Sequence, residues 1–357
     1  MIEEKLFHLL RYSLGAQSDA PTVAGNEWAD LHAMAAKQAL LGVTFTGIER
    51  MKAEGSTFTC PRPLMLQWFT ECDNIEKRNI FINEALPTVV QAFAKRGYRT
   101  CLLKGQGNAL MYPNPLRRNP GDIDLWVEGS DHDIITMVRG VDPTAETRYL
   151  HIDLPAYKGI EVEVHYRPSF MQNFRNNRRL QQFFTEAASA QFDNVVSDGY
   201  LKGTAVPDKA FDLIFQMSHI NRHVLKEGIG LRQLTDYYLL LKAADGRENG
   251  TVARVLQDTG LLSMARAVMY VMREVFTLDE RMMIVEPDER RGRIIMTEII
   301  AGGNFGQGDE RYHFAHNAIG RNMLGLWRDL RLMRYFPAEA LSEPLFRLYH
   351  FFWRLAH

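Results

Sequence analysis

Up to residue 99, apolar residues recur at helical spacing. Leu6, Leu9, Leu10 and Leu14 form one stripe, and Ile82, Leu86, Val89, Val90 and Phe93 form another, the three-to-four-residue period of helices that bury one face. Pro61 and Pro63 interrupt the pattern, and residues 53–60, with Gly55 and few apolar groups, predict a loop. The period then changes. Residues 100–103 and 123–127 are short, apolar or alternating, and bounded by glycine, proline and asparagine, so they predict strands. Residues 108–112 predict one or two helical turns stopped by Pro113 and Pro115. Residues 131–139 predict a capped helix, and residues 148–154 and 160–166 a hairpin around Pro155 and Gly159. From Asp208 the helical period returns almost to the end, with breaks expected at Gly228, Gly230, Gly246, Gly260 and the Gly302-Gly303 pair. The expected fold class is α+β, a small mixed β-sheet core flanked by helical lobes. The divisions are an N-terminal helical lobe at 1–75, the core at 76–203 and a C-terminal helical domain at 204–357.

Composition narrows the class. With 46% hydrophobic and 24% charged residues, the chain reads as ordinary folded protein rather than a disordered or fibrous one. A net charge of −1 excludes a broadly basic surface that grips nucleic acid through its overall field. Cys60, Cys72 and Cys101 have no C-x-x-C spacing and fit neither a disulfide framework nor a structural zinc site, which points to a reducing cytoplasm. The first residues lack the cationic flank of a secretory signal, and no apolar run reaches the roughly 18 residues of a transmembrane helix.

The candidate chemistry lies in the acidic strands. On a strand, residues two apart share a face, so Asp122 and Asp124 project together while Ile123, Leu125 and Val127 point into a core. The strand is therefore expected half buried and half acidic. Two adjacent carboxylates repel unless a cation lies between them, and oxygen ligands without clustered cysteine or histidine favour Mg2+ or Mn2+ over zinc. A second strand, residues 160–166, alternates Glu161, Glu163 and His165 with Val162, Val164 and Tyr166, so it offers a third carboxylate, either Glu161 or Glu163. Lys104, Gly105 and Gly107 suit a phosphate, because small residues admit backbone N–H groups and the turn leads into a helix N-terminus. Gly105-Gln106-Gly107 is not a P-loop, and Leu110 stands where a dinucleotide fingerprint has its third glycine.

The order of these parts resembles the DNA polymerase β-like nucleotidyltransferase superfamily: a glycine turn after a strand, Asp-x-Asp in a strand, then one acidic residue on a later strand. Leu103-Lys104-Gly105, the run from Arg118 to Leu125 and Val162-Glu163-Val164-His165 resemble more closely a bacterial family described as uncharacterised nucleotidyltransferases. His219, His223 and the run from Gly230 to Asp236 are similar to it as well. The resemblance implies that Asp122, Asp124 and Glu163 are catalytic and hold two metal ions, Mg2+ or Mn2+, with Glu163 chosen over Glu161. It implies that Lys104, Gly105, Gly107 and Arg118 bind a nucleoside triphosphate such as ATP. The implied reaction moves a nucleoside monophosphate to a hydroxyl of a small molecule, protein or RNA and releases pyrophosphate. The superfamily usually has Gly-Ser or Gly-Gly in the turn, where this chain has Gly105-Gln106, so a nucleotide-binding or regulatory protein without turnover is the rival expectation.

His219 and His223 share a helix face at the spacing of a zinc pair, but Ile220 replaces the protease glutamate, and a structural role is expected. Arg222, Arg232 and Asp236 are expected either at the cleft or in inter-helix pairs. The C-terminal run mixes Trp327, Tyr335, Phe336, Phe346, Tyr349, Phe351 and Phe352 with Arg328, Arg331, Arg334 and Arg347, an amphipathic helix expected to pack on its own domain.

Overall fold

Helices α1 (Ile2–Ser13), α2 (Trp28–Lys37) and α3 (Leu41–Ala53) form where the N-terminal stripes predict them, and Leu6, Leu9 and Leu10 are fully buried. The computed structural model describes residues 1–226, 228–304 and 331–356. The next helix, α4 (Arg62–Ala94), begins at the proline pair, where a missing backbone N–H removes no hydrogen bond. It then runs through residue 75 without a break. Its first half buries Trp68 and Cys72 against the N-terminal helices, and its second half lays Ile82, Leu86, Val89 and Phe93 on the sheet.

Four strands make that sheet: β1 (Thr100–Leu102), β2 (Ile123–Val127), β3 (His151–Tyr157) and β4 (Ile160–His165), in the order β1-β2-β4-β3. β2 pairs antiparallel with β1 and parallel with β4, while β3 and β4 form the expected antiparallel hairpin. The hairpin turn is Lys158-Gly159, both at positive φ (52° and 76°), the two-residue geometry that matches strand twist. Pro155 marks a register irregularity between Leu154 and Tyr157 instead of the turn itself, because proline cannot donate to the ladder. Helix α5 (Gln106–Ala109) follows β1, and α6 (Asp131–Arg139) follows β2, capped by Ser130, whose side chain accepts from the Asp133 N–H.

Ile123, Leu125 and Val127 bury against α4 and α6 as their spacing predicts. The opposite face of β2 differs from the half-acidic expectation, since all five residues are buried. Trp126 stacks on Phe211 of α8 (Lys209–Lys226) at 5.6 Å and lies 4.7 Å from Phe192 of α7 (Phe174–Asp193). These two helices roof the face that carries Asp124, which alternation within one strand does not reveal. Beyond the break at Gly228 and Gly230, α9 (Leu231–Ala244), α10 (Asn249–Asp258), α11 (Leu262–Phe276) and α12 (Glu289–Gly302) follow, and the first three pack with α8.

Apolar side chains fall into two clusters that cut across chain order. One joins α1–α3 to the helices after residue 208, with α1 packed on α11, and the other joins the sheet to α6, the end of α4 and the C-terminal helix Pro337–Ala356. Phe346 and Trp353 of that last helix are buried beside Tyr149, whereas Tyr349, Phe351 and Phe352 are exposed. Trp327 and Arg328 of the expected C-terminal run lie outside the described residues. No helix among the described residues is long and apolar enough to cross a membrane. The architecture is α+β, with a small mixed sheet carrying the acidic strands.

Candidate active site

The parallel register of β2 and β4 sets Asp124 opposite Glu163. Asp122 stands two residues before Asp124, and one carboxylate oxygen from each of Asp122, Asp124 and Glu163 lies within 4.8 Å of the other two. Glu161 is exposed and outside this group. Asp124 is 2% exposed, and its Oδ1 receives Lys104 Nζ at 2.9 Å and faces His165 Nε2 at 3.0 Å. His165 Nε2 also lies 3.2 Å from Glu163 Oε2.

Crowded charge separates the two aspartates. The neighbouring Asp124 carboxylate and then burial push Asp122 up to about 6, so its last proton is held into the mildly acidic range. Burial by itself raises Asp124 as well, but Lys104 and His165 more than offset it and hold that carboxyl well below the usual range. Burial opposes charge on His165, yet hydrogen bonding to Asp124 and Glu163 raises it to about 8. The pattern is that of anions gathered where a cation is favoured: three hard oxygen donors, with Asp124 buried and Asp122 and Glu163 half-buried, converge on one point. These donors fit a divalent ion.

The turn after β1 brings Lys104 and Gly105 to this group. Gly105 has φ +62°, a conformation that side chains resist, and a Cβ there meets the Asp122 carbonyl oxygen at 3.4 Å. Replacement by alanine is expected to lower stability by about 1–3 kcal/mol, read as a lower Tm, with weaker nucleotide-induced stabilisation because the turn carrying Lys104 shifts. Gln106 is buried and donates to Asn83 of α4, so the residue that departs from Gly-Ser serves as a tie between helices. Gly107 borders a neighbouring cavity with Val206 and Asp208, and its N–H is used by the Lys104 carbonyl.

Arg118 approaches the carboxylates from another direction. Its guanidinium forks onto Asp236 of α9, with Nε to Oδ1 at 2.8 Å and Nη2 to Oδ2 at 2.7 Å, and the Tyr112 hydroxyl donates to the same Oδ1 at 2.6 Å. Burial opposes charge on both partners, yet Asp236 raises the proton affinity of Arg118 and Arg118 depresses that of Asp236. Asn79 of α4 donates to the Leu116 and Arg118 carbonyl oxygens, both at 2.8 Å. The segment leading into Asp122 is thereby pinned from two sides.

A cavity of about 370 Å³ opens on these residues, within the range of small-molecule sites. Its lining takes Asp122, Asp124, Glu163 and His151 from the sheet and its approach, Lys104, Gly105 and Arg118 from the adjoining turns, and Arg222, His219, His223 and Lys226 of α8 with Arg232 of α9. The two α8 histidines meet edge to face with ring centroids 4.2 Å apart, and burial keeps His219 neutral at ordinary pH; no third ligand joins them among the described residues. A family model described as an uncharacterised nucleotidyltransferase matches residues 24–277. The chain belongs to this nucleotidyltransferase family. No curated protein and no solved structure matches it.

Family membership makes a nucleoside triphosphate the substrate of the nucleotidyltransferase fold. It does not name the acceptor. The structure of this nucleotidyltransferase brings the three expected carboxylates, Lys104 and Gly105 together, and sets beside them His151, Tyr112, Asn79 and Lys226, which the sequence pattern does not single out. His151 alternates into the acidic face of β3 and was detectable by period; Asn79 and Tyr112 matter only through partners distant in sequence.

Proposed function

We propose that the protein transfers a nucleoside monophosphate from a nucleoside triphosphate to a hydroxyl acceptor, with release of pyrophosphate. The observation that supports this best is the register pairing Asp124 with Glu163 on parallel strands, two residues from Asp122. In this reading those three residues hold divalent metal, Mg2+ or Mn2+, which when bound neutralises the triphosphate and acidifies the acceptor hydroxyl. Lys104 and Gly105 steady the phosphates, and the basic wall formed by Arg222, Lys226 and Arg232 draws the polyanion into the cavity. Arg118 acts through Asp236, holding the segment before Asp122 in place. The acceptor oxygen bonds to the α-phosphorus as the bond to the β-phosphate bridge breaks, and a carboxylate, Glu163 in this scheme, takes the hydroxyl proton. The free Cys60, Cys72 and Cys101 fit an enzyme of the reducing cytoplasm.

Incubation with α-labelled nucleoside triphosphates, metal and a cell extract is expected to give a labelled product and pyrophosphate. Asp122→Ala should remove both. Absence of label with every nucleotide, or equal labelling by the variant, rejects the assignment. The rival reading, nucleotide binding without turnover, predicts a raised Tm with triphosphate and metal, about 2.7 kcal/mol of stabilisation at a hundredfold excess over Kd, and no label.

A further inference from the structure

Next to the three carboxylates lies a second ligand set. His151 and His165 are neighbours across β3 and β4, with ring centroids 5.0 Å apart, and both face Glu163. Glu163 Oε2 lies 3.2 Å from His151 Nδ1 and 3.2 Å from His165 Nε2. Ligands adjacent on one ion, each about 2.1 Å from it, stand about 3 Å apart. The three ligand atoms all lie within 4.8 Å of one another.

Two further features point to a ligand. His165 Nδ1 lies 3.3 Å from the Arg167 carbonyl oxygen, to which it donates, so Nε2, which donates to Asp124 and Glu163, is the nitrogen left for a metal ion to take in place of that proton. That is how ring tautomers are fixed in metal-binding histidines. His151 is 8% exposed, yet neither ring nitrogen makes a hydrogen bond, although Nδ1 faces Glu163 and Nε2 stands 3.3 Å from Asp153 Oδ1. A buried imidazole with two unsatisfied nitrogens, one aimed at a carboxylate in a cavity wall and the other at an outer carboxylate, is built for a cation.

We propose that His151, His165 and Glu163 form a two-histidine, one-carboxylate site for a first-row transition-metal ion beside the Asp122–Asp124 pair. Imidazole nitrogen favours such ions over Mg2+, so the site makes Mn2+ the stronger ligand of this protein. The inference rests on the metal-binding half of the function proposed above, and it extends that reading from three oxygen donors to a mixed nitrogen and oxygen set.

The test is pulsed electron paramagnetic resonance on the full chain, stripped with chelator and loaded with Mn2+, alongside calorimetric titration with Mn2+ and Mg2+. Directly bound nitrogen is expected to modulate the Mn2+ signal, and Mn2+ to bind at least ~10-fold more tightly than Mg2+. His151→Ala is expected to weaken Mn2+ binding by at least ~10-fold and to reduce the nitrogen modulation; if it fails to fold by circular dichroism, His151→Asn takes its place. Asp122→Ala should keep the modulation. Absence of nitrogen modulation in the unsubstituted protein, or its full retention in the folded His151 variant, overturns the site. Nucleotidyl transfer with Mg2+ and no nitrogen modulation with Mn2+ removes this inference and leaves the proposed activity. Nitrogen modulation in a protein without transfer does the reverse.

Discussion

Asp124→Asn is expected to lower nucleotidyl transfer by at least ~10³-fold, the scale on which a preorganised electrostatic group acts, while the folded state persists. Asp124 combines deep burial with contacts to Lys104 and His165 and sits opposite Glu163, so its charge is engaged by two donors at once. Asparagine keeps its volume inside a strand whose five residues are all buried, which limits the structural damage. Removing the charge nevertheless leaves Lys104 and His165 beside a neutral amide, and a cation site loses one of its three anions. Label transfer measured beside a circular dichroism melt separates the effects. An Asn variant that melts within a few degrees of the original and transfers label within tenfold of it takes Asp124 out of the catalytic group.

The largest effect on stability is expected at Asp236, with Asp236→Ala lowering it by about 3–5 kcal/mol. Arg118 and Asp236 are each about 5% exposed or less at the side chain, and their fork is completed by the Tyr112 hydroxyl. Loss of the carboxylate leaves a buried guanidinium and a buried phenol without their acceptor, and such a charge is far more costly than a matched pair or a matched apolar replacement. Arg118→Met combined with Asp236→Leu is therefore expected to recover part of the loss. Activity should fall with Asp236→Ala even below the melting transition, because the same fork holds the segment that enters β2 at Asp122. Asp236 titrates below its ordinary value in the folded protein, so its contribution is complete above about pH 4 and is lost as the pH falls through that lower value. Thermal melts of the single and double variants from neutral pH down to pH 3 check both statements. Equal Tm values for Asp236→Ala and the unsubstituted chain contradict this account.

Several elements of this protein were determined locally. The alternation of residues 123–127 places Ile123, Leu125 and Val127 in the core and Asp122 with Asp124 on one side, because strand geometry has a period of two wherever the strand lies. The stripes at Leu6 to Leu14 and Ile82 to Phe93 became buried helix faces for the same reason, with a period of 3.6. Gly105 follows from a turn that only a residue without Cβ adopts easily, and the glycine breaks after residue 226 fall where helices end.

What tertiary structure decided concerns partners rather than periods. Glu161 and Glu163 have the same alternation, and only the parallel register of β4 against β2 brings Glu163 opposite Asp124 and leaves Glu161 exposed. Arg118 and Asp236 stand 118 residues apart, so a fork between them depends on how α9 docks against the turn before β2. His151 joins Glu163 through hairpin register, and the roof over Trp126 comes from helices that begin dozens of residues later. Backbone geometry imposes periodicity residue by residue, whereas pairing across a sheet or between helices is set by the joint burial of whole faces. The sequence therefore carried the acidic strand, and the packed molecule set Glu163 rather than Glu161 beside Asp122 and Asp124, fixed the approach to Asp122 and brought two histidines to the same carboxylate.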